Sequence, residues 1–268
     1  MLQRRLRCWR QQSLLIMKYD VISSGSKGNC TLIFSKGHCI QIDFGISKKR
    51  VVDALKSYEK TFDDVEAVFV THSHSDHCAH IERAKDKIVF ASTPSLPHFP
   101  HVIDNNHLLK PFQKIVLPPF NITVLPLSHD AKNTVGFIID DGEERLCYVT
   151  DTGFIPEKEF PYLINCDYYI FESNHDPEML YTSSRPDCLI KRIISDKGHL
   201  SNQDSAYYLS IFIGDKTKEI VLAHLSEECN TPQLARTSYE KGLKDQLGFV
   251  PSVKVMIASS KEETRGGQ

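Results

Sequence analysis

The sequence predicts an α/β protein in which two β-sheets pack face to face and helices cover the outer faces. Many short apolar runs lie between turns that contain Gly or Ser, which is typical of β-strands. The strands occur in clusters and do not alternate singly with helices as they do in a doubly wound fold. Segments with helical spacing are inserted mainly in the second half of the chain. Together these features favour two packed sheets.

The strands and helices can be assigned in chain order from periodicity and turn residues. Ser47–Ser57 places Val51, Val52 and Leu55 on one side, as an amphipathic helix does. The sequence Asp140-Asp141-Gly142 predicts a hairpin between two strands. The predicted strands are Tyr19–Ile22, Thr31–Phe34, Cys39–Ile42, Ala67–Val70, Ile88–Ala91, Lys114–Leu117, Ile122–Leu127, Thr134–Ile139, Arg145–Val149, Tyr168–Phe171 and Ile220–Ala223, and the further helices are Asp187–Ile194, Gln203–Ile213 and Gln233–Leu243.

Length and composition indicate one globular domain. The chain has 268 residues, of which 41% are hydrophobic and 25% charged, so it can bury a full core. We expect residues 17–260 to form the domain. Residues 1–16, which carry four arginines and no acid, are expected to be a disordered extension, and residues 261–268 a disordered tail. The longest apolar run near the N-terminus, Leu14–Ile16, is too short for a membrane span, so no membrane partner is expected.

Charge and cysteine content restrict the partners and the compartment. The net charge of -2 gives no overall electrostatic support for nucleic-acid binding, which would have to come from local basic clusters. The eight cysteines form no CxxC pair, and a chain of this size needs no disulfides. Free thiols and a cytoplasmic location are therefore expected. The oligomeric state is not indicated.

The densest group of potential metal ligands is the stretch His72-Ser73-His74-Ser75-Asp76-His77. It follows the apolar strand Ala67–Val70 directly. His-x-His places two imidazoles on one side of an extended segment, because side chains alternate along a strand. Asp76 and His77 then lie where the chain can turn into a helix, so they point to a second, adjacent position. The stretch therefore predicts two metal ions at a strand end, and the alternative is a histidine-rich surface turn.

Three more metal-capable side chains follow apolar strands at short polar turns. They are His129, Asp151 and His224. Each has a simple alternative by itself, such as a capping Asp or a buried His that bonds a backbone carbonyl. Taken together with the His72–His77 stretch, they predict a dinuclear metal site positioned by rigid elements.

The order of these motifs resembles the metallo-β-lactamase superfamily. Asp151 at the bridging position and His77 in the first motif resemble its hydrolase and nuclease branch, since the antibiotic-cleaving branch typically has Cys at the bridging position. Five segments are similar, more closely, to the bacterial YycJ/WalJ subfamily, and the similarity covers about residues 17–260. These segments are Ser24-Gly25-Ser26-Lys27-Gly28-Asn29-Cys30, Ser128-His129-Asp130-Ala131, Glu172-Ser173-Asn174-His175-Asp176, Gly198-His199-Leu200-Ser201-Asn202 and Leu222-Ala223-His224-Leu225-Ser226.

The resemblance implies an αββα four-layer sandwich with two divalent metal ions at one edge. One ion would be held by His72, His74 and His129, the other by Asp76, His77 and His224, and Asp151 would bridge them. Histidine and carboxylate ligands suit Zn²⁺ first, with Mn²⁺ and Fe²⁺ as alternatives.

The resemblance also implies roles in catalysis and substrate binding. It marks Asp76, His199 and Glu172 as catalytic: His199 would act as electrophile or general acid, and Glu172 would orient it. The alternative is that His199 only caps the helix that begins near Ser201. The Gly- and Ser-rich loop after the first strand would bind a phosphate through its amides and hydroxyls. The implied substrate-binding residues are Ser24, Ser26, Lys27, Asn29 and His175, although Lys27 departs from the small residue expected there and the role of His175 is open.

The implied activity is that of a 5′ to 3′ DNA exonuclease, which uses a metal-bridging hydroxide to attack phosphorus. DNA as the substrate is implied by the resemblance alone. Two alternatives stay open. One is a small-molecule hydrolase, acting on a cyclic phosphate or a thioester. The other is a non-catalytic, metal-bound regulator, against which the presence of all seven expected ligands argues.

Overall fold

Two mixed β-sheets form the middle of the structure. The structure is a computed structural model and describes residues 16–93, 96 and 107–267. The expected N-terminal extension therefore lies outside the described residues, apart from Ile16. The strands are β1 (Lys18–Ser23), β2 (Cys30–Ser35), β3 (His38–Ile42), β4 (Ala67–Val70), β5 (Ile88–Ala91), β6 (Lys114–Leu117), β7 (Phe120–Pro126), β8 (Val135–Asp140), β9 (Arg145–Val149), β10 (Tyr168–Glu172), β11 (Glu219–Ala223), β12 (Lys254–Ile257) and β13 (Thr264–Gly266).

The first sheet has the strand order β13-β1-β2-β3-β4-β5, and the second has the order β12-β11-β10-β9-β8-β7-β6. The helices of the described residues are α1 (Lys48–Lys56), α2 (Ser75–Cys78), α3 (Phe160–Leu163), α4 (Pro177–Tyr181), α5 (Asp187–Ile193), α6 (Asn202–Phe212) and α7 (Pro232–Leu247), with 3₁₀ turns at Phe62–Asp64, Ile81–Ala84 and Glu157–Glu159. None of these helices is long and apolar enough to cross a membrane.

The sheets are held together by aromatic side chains on their inner faces. Phe69 of the first sheet meets Phe137 of the second edge to face, with ring centroids 5.6 Å apart. Tyr19 and Tyr168 make a second such contact at 5.6 Å. All four rings are buried, and full burial of one such ring stabilises the fold by about 1.5–3 kcal/mol.

Helices cover both outer faces. Val51 and Leu55 of α1 pack in an apolar cluster on the first sheet. Leu209 and Phe212 of α6, with Tyr239 of α7, pack on the second. The layers are therefore helix, sheet, sheet and helix, and the predicted four-layer αββα sandwich is confirmed.

The prediction of a disordered tail at residues 261–268 is wrong for most of that segment. Thr264–Gly266 forms β13, which pairs antiparallel with β1, and the Gly267 amide donates a hydrogen bond to Glu219. The segment is polar and short, so nothing local in it favours a strand. Its strand conformation comes with pairing to β1, whose edge it covers.

The topology brings several strand ends to one place. In the second sheet β9, β10 and β11 are parallel, and β7 runs in the same direction because it and β9 are both antiparallel to β8. The carboxyl ends of these four strands therefore meet at the same edge. The end of β4 joins them there, since the Val135 amide of β8 donates to the Thr71 carbonyl.

Candidate metal centre and active site

Four of the predicted metal ligands follow strands that end at this common edge, and Asp76 and His77 lie in the short helix α2 beside it. His72 follows β4, His129 follows β7, Asp151 follows β9 and His224 follows β11. The backbone turns sharply at the last two positions, because Asp151 and His224 have φ values of 62° and 56°. A left-handed conformation is unfavourable for residues with a Cβ and is concentrated at functional sites, where it aims a side chain.

The first predicted ligand group converges as expected. His72, His74 and His129 each offer a ring nitrogen, and these atoms all lie within 4.8 Å of one another. The rings of His72 and His74 are 4.7 Å apart, and each lies 5.2 Å from the ring of His129. His72 and His129 are buried, whereas His74 is partly open to solvent. The group can therefore hold an ion that solvent or substrate still reaches.

The second predicted group also converges. Ligand atoms of Asp76, His77 and His224 lie within 4.8 Å of one another. Asp151 reaches both groups, since its carboxylate is 3.3 Å from His77 Nε2, 3.4 Å from His224 Nε2 and 3.9 Å from His129 Nε2. The structure thus brings all seven predicted ligands together. His72, His77 and Asp151 converge as well, so the division of the seven between two ions stays a prediction.

Unsatisfied atoms in this cluster fit a cation. The Nε2 atoms of His72, His129 and His224 and one carboxylate oxygen of Asp151 are buried without a hydrogen-bond partner. Leaving such groups unpaired costs about 1–3 kcal/mol each, so native proteins rarely tolerate several together. Divalent metal ions held by the two ligand groups would satisfy these four atoms, and imidazole and carboxylate are the ligands that Zn²⁺ accepts.

In three of the histidines a hydrogen bond at Nδ1 aims Nε2 towards the other predicted ligands. His77 Nδ1 lies 2.7 Å from Asp43, His129 Nδ1 lies 3.0 Å from the Gly198 carbonyl, and His224 Nδ1 lies 3.1 Å from Glu172. Such partners fix the tautomer and orientation of a metal-binding histidine. Sequence reasoning missed Asp43 as a partner of His77, although it follows the apolar strand β3 just as several predicted ligands follow theirs.

The electrostatics of the two histidine groups differ. Burial and the neighbouring imidazoles hold the pKa of His72 well below its usual value, so the ring is a neutral ligand. Burial alone would lower the pKa of His224, but Asp151, Asp76 and Glu172 outweigh it and raise that pKa to about 10. The carboxylates therefore attract positive charge to this position, and a metal ion would displace the proton there.

His199 and Glu172 form a hydrogen-bonded pair beside the predicted ligands. His199 Nδ1 is 2.9 Å from Glu172 Oε1, and its ring lies 4.9 Å from the His129 ring and 5.4 Å from the His224 ring. Glu172 is fully buried, and its other oxygen accepts the backbone amides of Thr152 and Leu200 at 3.0 and 3.1 Å. Together with the contact to His224 Nδ1, these hydrogen bonds give the Glu172 carboxylate four partners that fix its position.

His199 does not cap the helix that follows. The cap of α6 is Ser201, whose hydroxyl accepts from the Asp204 amide. His199 is therefore available for chemistry, either as an acid or as a further ligand, because His199, Glu172, Asp151 and His224 also lie close enough to hold an ion.

The predicted substrate-binding residues divide into two sets. The side chains of Ser24 and Asn29 are engaged inside the protein: Ser24 accepts the His224 amide at 2.8 Å, and the Asn29 amide lies 2.9 Å from His77 Nε2. Ser24 therefore holds the backbone of a predicted ligand, whereas Asn29 contacts the ring nitrogen through which His77 would bind a metal. Ser26 and Lys27 are exposed, and Lys27 pairs with Glu227, so the phosphate contact predicted for them stays a prediction.

His175 is buried next to this region. Its Nδ1 has no hydrogen-bond partner. Burial lowers its pKa to about 4, so the ring is neutral at pH 7. Its backbone forms a bridge to Ser201, immediately after the His199 loop. The substrate contact predicted for His175 stays a prediction.

Known proteins resemble this chain over most of its length. Residues 42–224 match the family described as the beta-lactamase superfamily domain. The exodeoxyribonuclease YycJ of Bacillus anthracis is 32% identical over 246 residues, which cover 87% of this chain and 91% of that protein. The exodeoxyribonuclease WalJ of Streptococcus pneumoniae is 29% identical over 253 residues, which cover 90% of this chain and 94% of that protein.

A solved structure has the same fold. The metallo-beta-lactamase fold protein YhfI from Bacillus subtilis aligns with a TM-score of 0.68 at 20% identity and covers 94% of this chain and 100% of its own. The family match, the two relatives and the four-layer architecture agree. The chain therefore belongs to the metallo-β-lactamase superfamily and, within it, to the YycJ/WalJ group.

Proposed function

We propose that this protein is a metal-dependent exodeoxyribonuclease that degrades DNA from the 5′ end towards the 3′ end. The observation that carries the proposal is the His199–Glu172 pair, which lies beside the seven convergent ligands without belonging to either predicted triad. The similarity to two exodeoxyribonucleases over about nine tenths of the chain supports DNA as the substrate.

The predicted ligands would hold two divalent ions, Zn²⁺ in the first place and Mn²⁺ or Fe²⁺ as alternatives. Such ions, when bound, make a water nucleophilic at neutral pH and neutralise charge on the phosphoryl oxygens. Asp151 is suited to bridge them because its carboxylate lies within 4 Å of histidines from both groups. Asp76 completes the second group from the first turn of α2.

His199 would protonate the leaving oxygen. Its Nδ1 lies 2.9 Å from the Glu172 carboxylate, which orients the ring so that Nε2 could hold the transferable proton. The phosphorus–oxygen bond to the leaving nucleoside breaks as water attacks, and the proton on Nε2 neutralises the alkoxide. Glu172 keeps the ring in place, because the two backbone amides of Thr152 and Leu200 prevent the carboxylate from turning.

A substrate panel tests this proposal. The protein, loaded with Zn²⁺ or Mn²⁺ in parallel, would be assayed on 5′-phosphorylated duplex DNA, single-stranded DNA, RNA and bis(p-nitrophenyl) phosphate. We expect release of mononucleotides from the 5′ end of DNA, so a 5′ label becomes acid-soluble before a 3′ label does. Duplexes with a 5′-hydroxyl end control for dependence on the terminal phosphate.

The same panel separates the alternatives. Two bound metals with no cleavage of any phosphodiester would refute the proposal and favour a non-catalytic metal-bound regulator. Hydrolysis of cyclic phosphates or thioesters without attack on DNA would favour a small-molecule hydrolase.

A further inference from the structure

An arginine stands at the rim of the predicted metal site. Arg192 lies in the last turn of α5, and its side chain is 50% exposed. Its Nη1 is 2.8 Å from one oxygen of Asp130, and the other oxygen of Asp130 is 3.1 Å from His129 Nε2 and 3.5 Å from His74 Nε2. One carboxylate therefore connects the guanidinium to two predicted metal ligands.

This end of α5 packs closely against the loop that carries Gly198 and His199. The His199 amide donates to the Ile193 carbonyl at 2.9 Å, and the Gly198 carbonyl accepts from the His129 ring. A Cβ on Gly198 would lie 2.0 Å from the Ile193 carbonyl oxygen, so only glycine permits this approach. The backbone that carries Arg192 is therefore held next to the backbone of His199.

Arg192 supplies positive charge at the rim of a site that is otherwise rich in carboxylates. Five carboxylates form ion pairs in the described site. Within the described residues, Arg192 is the only Lys or Arg that pairs with any of them, and their other partners are histidines. The carboxylates belong to Asp43, Asp76, Asp130, Asp151 and Glu172. Within the described part of the chain, the contact with Asp130 is the only one recorded for the guanidinium. Its remaining donors are thus free to bind a phosphate, which arginine does through paired hydrogen bonds.

We propose that Arg192 binds the DNA phosphate next to the one that is cleaved, and that Asp130 positions its guanidinium. The carboxylate of Asp130 lies between Arg192 and the ligand nitrogens, which places the guanidinium one side chain away from the metal centre and so beside the neighbouring phosphate of the strand. This inference rests on the proposed exodeoxyribonuclease function, and it adds a residue that sets how the strand lies in the site.

Binding and kinetics of Arg192→Gln test the inference, with Lys191→Gln as the matched control. Lys191 has the same charge and lies in the same turn of α5, but no ion pair is recorded for it in the described part of the chain. The probe is a fluorescent duplex with a 5′-phosphate and phosphorothioate linkages that resist cleavage, bound to the metal-loaded protein. We expect Arg192→Gln to weaken DNA binding about tenfold. The negative slope of the logarithm of the binding constant against the logarithm of the salt concentration should become shallower by about 0.9, the value for one phosphate contact.

Further arms of the experiment separate positioning from a general charge effect. Arg192→Gln should lose much more activity on DNA than on bis(p-nitrophenyl) phosphate, because that substrate has no second phosphate, and the metal content is measured for every variant. Asp130→Asn should weaken DNA binding in the wild-type protein and should have no such effect in the Arg192→Gln variant. A general charge effect would instead strengthen DNA binding in both proteins, because the substitution removes a negative charge.

Two results would overturn the inference while leaving the proposed function intact. One is a salt slope in Arg192→Gln equal to that of the wild type and of Lys191→Gln, with DNA still cleaved. The other is an equal loss on DNA and on bis(p-nitrophenyl) phosphate, which would place Arg192 at the cleaved phosphate. Wild-type protein that neither binds nor cleaves DNA would refute both the function and the inference.

Discussion

Replacement of His199 by Ala should abolish most DNA cleavage without removing metal. The ring is 11% exposed, and its hydrogen bond is to Glu172. After its removal Glu172 still accepts from His224 Nδ1 and from the Thr152 and Leu200 amides. No buried charge is left without partners, so we expect the free energy of unfolding to fall by only about 1 kcal/mol.

The effect on rate should be much larger than the effect on stability. General acid catalysis contributes about 10²–10⁴-fold, which corresponds to about 3–5 kcal/mol of transition-state stabilisation. This loss should appear in turnover of DNA, whose leaving alkoxide is strongly basic. It should nearly vanish for thymidine 5′-p-nitrophenyl phosphate, because p-nitrophenolate leaves without a proton.

The assay compares both substrates under single-turnover conditions and measures bound metal by elemental analysis. An equal loss on both substrates would contradict the assignment of His199 as an acid. Loss of metal would show that His199 is a ligand, a role that its convergence with Asp151, Glu172 and His224 also allows. His129→Ala is the control, since removal of a predicted ligand should reduce the metal content.

Three further predictions concern the second ligand group, a buried acid and the C-terminal strand. Asp76→Ala should lose at least one metal per chain by elemental analysis, and full retention of both would contradict the predicted ligand set. Glu159 is buried with one carboxylate oxygen unpaired, and burial raises its pKa from 4.5 to about 7. The folded state therefore binds this proton more tightly than the unfolded state does, so the stability due to Glu159 is complete below pH 4.5 and falls by about 3 kcal/mol as the pH rises to about 7. Denaturant unfolding of Glu159→Gln should lack this decline, and parallel pH profiles for variant and wild type would refute it. Glu219→Ala should lower the free energy of unfolding by about 3 kcal/mol, because it leaves the Tyr19 hydroxyl and the Gly267 amide without their acceptor; Glu219→Gln, which can still accept, should lose less.

The predicted strands were close to the observed ones wherever an apolar run was bounded by clear turns. Ala67–Val70 and Arg145–Val149 have the predicted bounds, because burial on both faces makes such segments continuously apolar. β12 and β13 were missed. Lys254–Ile257 and Thr264–Gly266 are less buried and lie at sheet edges, so their strand conformation depends on a neighbour that a local pattern does not show.

The site residues likewise divide into those that a local pattern predicts and those that only the fold reveals. The predicted ligands were chosen because they are side chains that bind metals and lie at or soon after strand ends. Asp43 was missed, although it lies 2.7 Å from His77 Nδ1, since a single Asp after a strand has many ordinary explanations. Ser24 and Asn29 were chosen as substrate contacts from a Gly- and Ser-rich loop. Only the folded chain shows that this loop packs against His224 and His77.

The sequence by itself determined which residues could bind a metal and their order along the chain, because metal-binding side chains at strand ends leave a local signature. Only the tertiary structure decided which of them share an edge, since β7, β9, β10 and β11 must run in one direction for His129, Asp151, Glu172 and His224 to meet. The tertiary structure also decided which group contacts Nδ1 of His77, His129 and His224. It placed Arg192 beside Asp130, 62 positions away in the chain. Contacts at such separations are set by how whole sheets and helices pack, and no local stretch of sequence encodes them.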